Sequence, residues 1–188
     1  AVRRSEKRVH LGESRAEVRG GEGPVDLICT ADAKTRERSA ALTAAVYGAE
    51  SLEYADALNL LDGLGNCTRA HAIQSRLLKP DDPRMARSLY YLGKNQFFAK
   101  LPDGEANFRR ALEIVENSPQ PDEKLHLWIV NDLALLLSDK KDRTGAVALM
   151  RKAVAIREHL YPEGHPERAV GLGNLGNELL LVGQLQEA

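Results

Sequence analysis

The chain has 188 residues, with 26 Lys and Arg against 27 Asp and Glu, so its net charge is −1. Balanced charge argues against bulk electrostatic binding of nucleic acid, which concentrates Lys and Arg on one face. A composition of 43% apolar and 28% charged residues excludes wholesale disorder. Only 5% of the residues are aromatic, and Leu and Ala dominate the apolar set, which favours helices over strands.

The cysteines and the apolar runs exclude further classes of protein. The two cysteines, Cys29 and Cys67, are too few for a disulfide scaffold and fit no zinc spacing. The longest apolar run, residues 179–182, is far shorter than the ~20 residues that a membrane span needs. The polar, charged N-terminus contains no readable signal peptide. We therefore expect a cytoplasmic protein that uses no metal, cofactor or membrane.

The first 30 residues differ from the rest of the chain. Residues 10–24 are rich in glycine and charge and have no apolar stripe, which indicates a linker or a divergent N-terminal segment over 1–30. Residues 25–29 are consistent with a short strand or with an extended stretch packed on the following domain. The sequence leaves both alternatives open.

From residue 31 onward the spacing of apolar residues is helical. Val130, Leu133, Ala134 and Leu137, for example, stand at i, i+3, i+4 and i+7. Clusters of Pro, Gly and Asp separate such stretches, because these residues end one helix and cap the next. The predicted helices are 33–47, 52–64, 68–78, 83–99, 104–116, 122–139, 143–160 and 166–182.

Two motifs recur along this helical part and share a spacing of 42 residues between the last units. The pair Phe108 and Ala111 returns 42 residues later as Met150 and Ala153. Two independent motifs that share a period predict an all-α solenoid of antiparallel helix pairs. The other motif is a Leu-x-x-Leu core, with Val in its first position once, whose second Leu stands at 61, 92, 133 and 175, at intervals of 31, 41 and 42.

These intervals divide the chain into units. We predict one repeat domain over 31–188, preceded by the segment 1–30. The last unit begins a second helix after Gly183 that residue 188 does not complete, so we expect either that the parent chain continues or that something else covers the unpaired apolar face. The predicted units are a half repeat at 31–50 and repeats at about 51–81, 82–121, 122–164 and 165–188.

At these motifs the chain resembles the tetratricopeptide repeat family, and most closely its 42-residue subclass, which occurs in kinesin light chains. The best match is 166–188, where the Leu-Gly pair of the family's first helix falls on Leu175 and Gly176. The glycine and alanine of the family's turn fall on Gly183 and Ala188. The resemblance covers roughly 33–188.

The resemblance implies a right-handed superhelix whose concave groove is lined by the first helix of each unit. Small residues at Gly93, Ala134 and Gly176 would let the two helices of a unit approach closely. Lys141 departs from the pattern, because it stands where the last unit has a glycine. That departure leaves the turn geometry of its unit open, whereas the fold does not depend on it.

In this family, partner segments usually lie in the groove and contact first-helix residues beside the Leu-x-x-Leu core. Asn can donate to and accept from a peptide backbone, and Tyr and Trp offer rigid contact area. Exposed polar residues and partly packed aromatic rings are the simpler interpretation of the same pattern. Carried over by position, the candidate binding residues are Asn59, Arg87, Tyr90, Tyr91, Lys94, Trp128, Asn131, Asp132, Asn174 and Asn177.

Other motifs are better explained as structural features than as cofactor, metal or catalytic sites. Residues 171–176 spell G-x-G-x-x-G, but the dinucleotide fingerprint follows a strand, and these residues lie inside a predicted helix. His159 and His165 flank a proline turn, which indicates a surface junction rather than a metal site. Cys29 has no identifiable base partner, so we expect a structural thiol. We predict no catalytic, cofactor-binding or metal-binding residue.

The sequence therefore predicts a non-enzymatic scaffold that binds a peptide or protein segment in its groove, as the sensor or adaptor part of a larger cytoplasmic protein. Two alternatives belong to other classes. The module could self-associate into a homo-oligomer through its open repeat ends. It could also regulate an NTPase, protease or kinase whose catalytic part lies outside this chain.

Overall fold

A computed structural model describes residues 32–61 and 63–183. The predicted segment 1–30 and residues 184–188 lie outside these ranges, so their assignments and the predicted unit boundaries stay predictions. Inside the described ranges the chain forms helices and no strand. In chain order the helices are α1 (Ala33–Tyr47), α2 (Leu52–Asn59), α3 (Leu64–Leu77), α4 (Pro83–Phe98), α5 (Gly104–Glu116), α6 (Glu123–Asp139), α7 (Arg143–Leu160) and α8 (Pro166–Leu181).

The predicted all-helical repeat solenoid is confirmed. Six of the predicted helices agree with the structure to within one residue at each end. Across the described part of the chain, none of the helices combines the length and the apolar character that crossing a bilayer requires.

The predicted boundary between α2 and α3 is wrong. We predicted helices at 52–64 and 68–78, whereas α2 ends at Asn59 and α3 begins at Leu64. Gly63 explains the difference, because it precedes α3 with φ +111°, a backbone conformation that other residues rarely adopt. The predicted helix ran through this glycine.

Most helices begin at a side-chain cap. Asp32, Ser51, Asp82, Asp122 and Asp142 each accept a hydrogen bond from a backbone amide two or three residues further along. Such a cap satisfies one of the amides that the first turn of a helix leaves unpaired. The Asp residues between predicted helices therefore act as the sequence analysis expected.

The first helices α4, α6 and α8 end in the same backbone turn. Lys100, Lys141 and Gly183 have φ of 57°, 70° and 79°. At Lys141 the turn is a Schellman motif, since Lys141 N donates to Ser138 O and Asp142 N donates to Leu137 O. Lysine at 141 thus preserves the turn that the family builds with glycine, although a Cβ is disfavoured there.

Each helix packs against its neighbours in sequence, and the first helices also contact one another, α2 with α4 and α4 with α6. The main hydrophobic cluster runs from α4 to α7. Phe108, Ala111, Met150 and Ala153, the repeated second-helix residues, are at most 1% exposed. Their periodicity therefore does mark the core between repeats.

The helices α4 and α5 of one unit approach each other closely at a pair of glycines. A Cβ added to Gly93 would stand 3.0 Å from Gly104 O and 3.2 Å from Phe108 Cδ1. A Cβ on Gly104 would in turn stand 3.0 Å from Gly93 O. Both glycines are therefore required by packing, as the sequence analysis predicted for Gly93.

Replacing Gly93 with Ala should lower the free energy of unfolding by about 1–2 kcal/mol, because the new methyl meets backbone that cannot move without separating α4 from α5. Gly173→Ala is the matched control, since nothing lies within 4 Å of a Cβ added there. That change should stabilise α8 by up to about 1 kcal/mol. Urea denaturation followed by circular dichroism measures both, and equal effects would contradict the assignment.

Lys141→Gly should stabilise the protein relative to Lys141→Ala by about 1 kcal/mol, because the two variants differ only in a Cβ at a positive φ. Comparing these two variants cancels the loss of the lysine side chain. Thermal unfolding of both should give the higher midpoint for glycine. A higher midpoint for alanine would show that the residue does not adopt the left-handed conformation.

Candidate functional site

A cleft lies between the first helices α4 and α6. Its volume is about 350 Å³. Phe98, on the last turn of α4, was missed by the sequence analysis because it lies outside the Leu-x-x-Leu core, and it is 70% exposed. The cleft is lined by Tyr90, Tyr91, Lys94, Phe98, Trp128 and Asp132.

Tyr90 is the centre of the aromatic wall of this cleft. Its ring centroid lies 5.2 Å from that of Tyr91, 6.0 Å from Phe108 and 6.1 Å from Trp128. These separations are typical of tilted aromatic pairs, which add to the stability gained from burial alone. Phe108 belongs to the core, so the wall of the cleft is a direct extension of the repeat packing.

The Tyr90 hydroxyl forms a hydrogen bond within the protein. It donates a 3.0 Å hydrogen bond to Asp132 Oδ2, which links α4 to α6. Tyr90 is only 4% exposed. Burial, reinforced by the Asp132 charge, raises the pKa of Tyr90 far above its usual value, because both disfavour the phenolate. Tyr90 therefore supports the cleft rather than offering a polar group to a ligand.

Lys94 and Asp132 place one charge of each sign at the cleft. Lys94 Nζ lies 5.9 Å from the centroid of the Tyr90 ring, within reach of a cation–π contact. Among the residues that the structure describes, no carboxylate pairs with Lys94. Asp132 accepts hydrogen bonds from the neutral donors Tyr90 and Asn131. The cleft thus combines apolar walls with two charged groups.

Polar side chains continue from this cleft towards α8. Asn174 Nδ2 lies 3.4 Å from Asn131 Oδ1, so α8 is linked to α6 much as Tyr90 links α4 to Asp132 on α6. Tyr90 and Asn131 each stand two positions before the second Leu of their own Leu-x-x-Leu core. Their partners, Asp132 and Asn174, each stand one position before the second Leu of the next core. Asn131 Nδ2 also reaches Asp132 Oδ1 at 3.4 Å, which joins the two links. We call the connected residues Tyr90, Asp132, Asn131 and Asn174 the polar ladder.

Arg157 also contacts the polar ladder, through Asn131. The sequence analysis missed it because it belongs to a second helix, α7. Its side chain is buried between α6 and α8, with Nη2 3.3 Å from Asn131 Oδ1. Glu167 Oε2, on the first turn of α8, lies 3.6 Å from Nε. The sequence did offer a signal for it, because Arg157 stands four residues after Ala153 on the apolar face of α7 and 42 residues after the buried Val115.

The remaining predicted binding residues have different surroundings. Asn59 is 1% exposed, and neither of its side-chain amide atoms has a hydrogen-bond partner among the described residues. Arg87 pairs with Asp122 at 2.7 Å, which links α4 to the start of α6. Asn177 lies exposed on α8. Asn59 is therefore buried in the free protein, whereas Arg87 and Asn177 lie at the surface beyond the cleft.

The motifs that the sequence analysis set aside lie in ordinary structural positions. Residues 171–176 lie inside α8, where no strand precedes them. His159 Nδ1 lies 3.0 Å from Glu123 Oε2, and His165 Nδ1 accepts from Glu167 N as a helix cap. Within 32–61 and 63–183, no three His, Cys, Asp or Glu side chains group closely enough to hold a metal ion.

The sequence model of the tetratricopeptide repeat matches residues 126–167, which cover α7 and nearly all of α6. Over these residues the chain is similar to the tetratricopeptide repeat family. The match spans 42 residues, which supports the predicted resemblance to the 42-residue repeats of the kinesin-light-chain-like subclass. No curated protein sequence gives a significant match.

Two solved structures are similar in fold to this chain. Both come from a Podosopora anserina protein assigned as a kinesin light chain and described as having nearly identical TPR-like repeats. The first has a TM-score of 0.63 and the second 0.61, each at 18% identity over 82% of this chain and 79% of the other. At that identity the likeness establishes the fold alone.

Tyr90 should stay protonated while ordinary tyrosines ionise. The phenolate absorbance that develops between about pH 9 and 11 should be the same for wild type and Tyr90→Phe. Since the unfolded chain ionises at the ordinary tyrosine pKa of about 10, the stabilisation from Tyr90 should decline above that pH. A smaller absorbance change in Tyr90→Phe, at a pH where circular dichroism shows both folded, would contradict the buried hydrogen bond.

Proposed function

We propose that this protein is an interaction scaffold that binds a peptide or protein segment across α4, α6 and α8. Tetratricopeptide repeats generally mediate protein–protein interaction, and their fold is typically non-catalytic. The observation that carries the proposal for this surface is the aromatic cleft between α4 and α6. The bound segment would lie along the first helices, as the resemblance implies for the groove.

The cleft suits one apolar side chain of the partner. Tyr91 and Trp128 are half-buried, and Phe98 is largely exposed, so each offers ring surface to a ligand. Burying such rings contributes strongly at interfaces, because they have few rotatable bonds to immobilise. A volume of about 350 Å³ holds one large side chain and leaves the rest of a segment outside the cleft.

The polar ladder suits the backbone of the same segment. Asn131 and Asn174 lie on successive first helices and are both half-buried. Carboxamides can match the donors and acceptors of an extended backbone, which a purely apolar surface cannot do. An apolar cleft beside amide groups therefore favours an extended peptide over a compact small molecule. We further propose that the protein acts in the cytoplasm.

Self-association is the second candidate, and α1 favours it. Leu42, Val46 and Tyr47 are 59%, 72% and 60% exposed, an apolar patch at the outer helix of the described array. Contiguous exposed apolar surface often marks an interface. Light scattering over a range of concentrations distinguishes the two candidates, because a strict monomer excludes self-association through this patch.

Trp128 makes the peptide proposal directly testable, because it is the single tryptophan of the chain and lines the cleft. Peptides selected from a random display library on the full chain should shift Trp128 emission and protect it from acrylamide quenching. Phe98→Ala should weaken a selected peptide at least about tenfold by removing one wall of the cleft. Its 70% exposure means that the substitution should leave folding intact.

Tyr47→Ala is the matched control, since Tyr47 is also a largely exposed aromatic residue but lies on α1, away from the cleft. It should leave peptide affinity unchanged. Selected peptides that bind without changing Trp128 emission, and equally well to Phe98→Ala, would show that the cleft is not the binding site.

A further inference from the structure

A second cavity lies between the loop that precedes α4 and the loop that follows α5. Its volume is about 340 Å³, and it shares no lining residue with the aromatic cleft. Apolar walls come from Pro83 at the start of α4, Ile114 near the end of α5 and Pro119 in the loop before α6. Ile114 also belongs to the main hydrophobic cluster. We call this cavity the turn pocket.

The turn pocket exists because α5 ends early. Ser118 precedes Pro119, and the residue before a proline is disfavoured in a helix, so α5 stops at Glu116. In the next unit, 42 residues later, the corresponding residues are Leu160 and Tyr161, and α7 continues as far as Leu160. Both pack against the apolar cluster of α6 and α7. The later unit thus covers its core with two large side chains where the earlier unit has a serine and a proline.

The charges that line the turn pocket are unequal. Two carboxylates, Asp81 and Glu113, share one cation, Arg110, so the lining residues carry a net charge of −1. Arg110 Nη1 donates to Glu113 Oε2 at 2.6 Å, and Nη2 donates to Asp81 Oδ1. The carboxylate side chains stay 84% exposed at Asp81 and 58% exposed at Glu113. Because an ionised carboxylate has about four acceptor sites, both can accept from a second cation.

The end of α5 adds to the preference for positive charge. Asn117, its C-terminal cap, lines the turn pocket. The last carbonyl groups of a helix carry partial negative charge, which favours a nearby cation. The start of α4 lies on the other side, where the Asp82 carboxylate caps the helix and offsets its positive end. An apolar wall beside net negative charge suits a side chain with an aliphatic stem and a cationic head.

We propose that the turn pocket binds a basic side chain, lysine or arginine, presented by a partner protein. The aliphatic stem lies along Ile114 and the two prolines, and the charged head donates to Asp81 and Glu113. Two cations then balance two carboxylates. An apolar side chain would leave the negative charge uncompensated, and an acidic one would be repelled. This site is additional to the aromatic cleft and does not depend on it.

The test uses the nitrogen-15-labelled full chain and follows the backbone amide of Ser118 by NMR. N-acetyl-lysine methylamide should shift this resonance saturably. N-acetylnorleucine methylamide, which has the stem without the charge, should bind at least about fivefold more weakly. Methylammonium chloride, which has the charge without the stem, should be weaker by at least about the same factor. Sodium chloride at equal ionic strength controls for screening.

Two variants locate the binding in the turn pocket. Asp81→Asn removes an exposed carboxylate and should weaken the lysine probe about three- to fivefold. Asp103→Asn is the matched control, because Asp103 is also exposed but precedes the opposite end of α5, and it should leave affinity unchanged. Ser118→Leu introduces the residue that the later unit has at this position. It should weaken the probe at least about tenfold by filling the pocket, with circular dichroism unchanged.

A shift that is linear in probe concentration, an equal response to the norleucine probe, or unchanged affinity in Asp81→Asn would each overturn the proposal. Phe98→Ala should leave this titration unchanged, so failure of the aromatic cleft in peptide binding would not imitate failure of the turn pocket. Light scattering of the free chain provides the last check. Association that Asp81→Asn abolishes would assign the basic side chain to a second copy of this chain and overturn the separate partner.

Discussion

The close contact between α4 and α5 is the constraint on which the functional surface depends. Gly93 and Gly104 bring the two backbones together, since a Cβ on either would stand 3.0 Å from the carbonyl oxygen of the other. This approach leaves Phe108 fully buried, and Tyr90 packs on Phe108. The aromatic wall of the cleft therefore inherits its position from helix packing rather than from a flexible loop. Rigid walls lower the entropic cost of binding a partner.

The first helices are also joined by polar contacts that repeat from one unit to the next. Tyr90 bonds to Asp132, and Asn131 bonds to Asn174, in the same relative register. Equivalent positions thus hold a phenol–carboxylate pair between α4 and α6 and an amide pair between α6 and α8. Because the backbone register is shared, each step can change its chemistry without disturbing the stack. The apolar cleft between α4 and α6 forms at one of these steps.

Much of the fold could be predicted because repeat proteins are held together by local contacts. Apolar periodicity and Asp caps placed most helix ends correctly, since both signals act within a few residues. The exception is Gly63, where a helix was predicted across a positive-φ residue. The turn at Lys141 shows the opposite case, because the stack imposes a left-handed conformation that its own residue disfavours.

For the site, the sequence by itself determined which residues stand beside the Leu-x-x-Leu cores, and the family resemblance made these positions candidates for binding. Of those candidates, Tyr91, Lys94 and Trp128 line one cleft. Only the tertiary structure decided that Asn59 is buried and that Arg157 reaches across from a second helix. Burial depends on side chains from other helices, and periodicity within one helix carries no information about them.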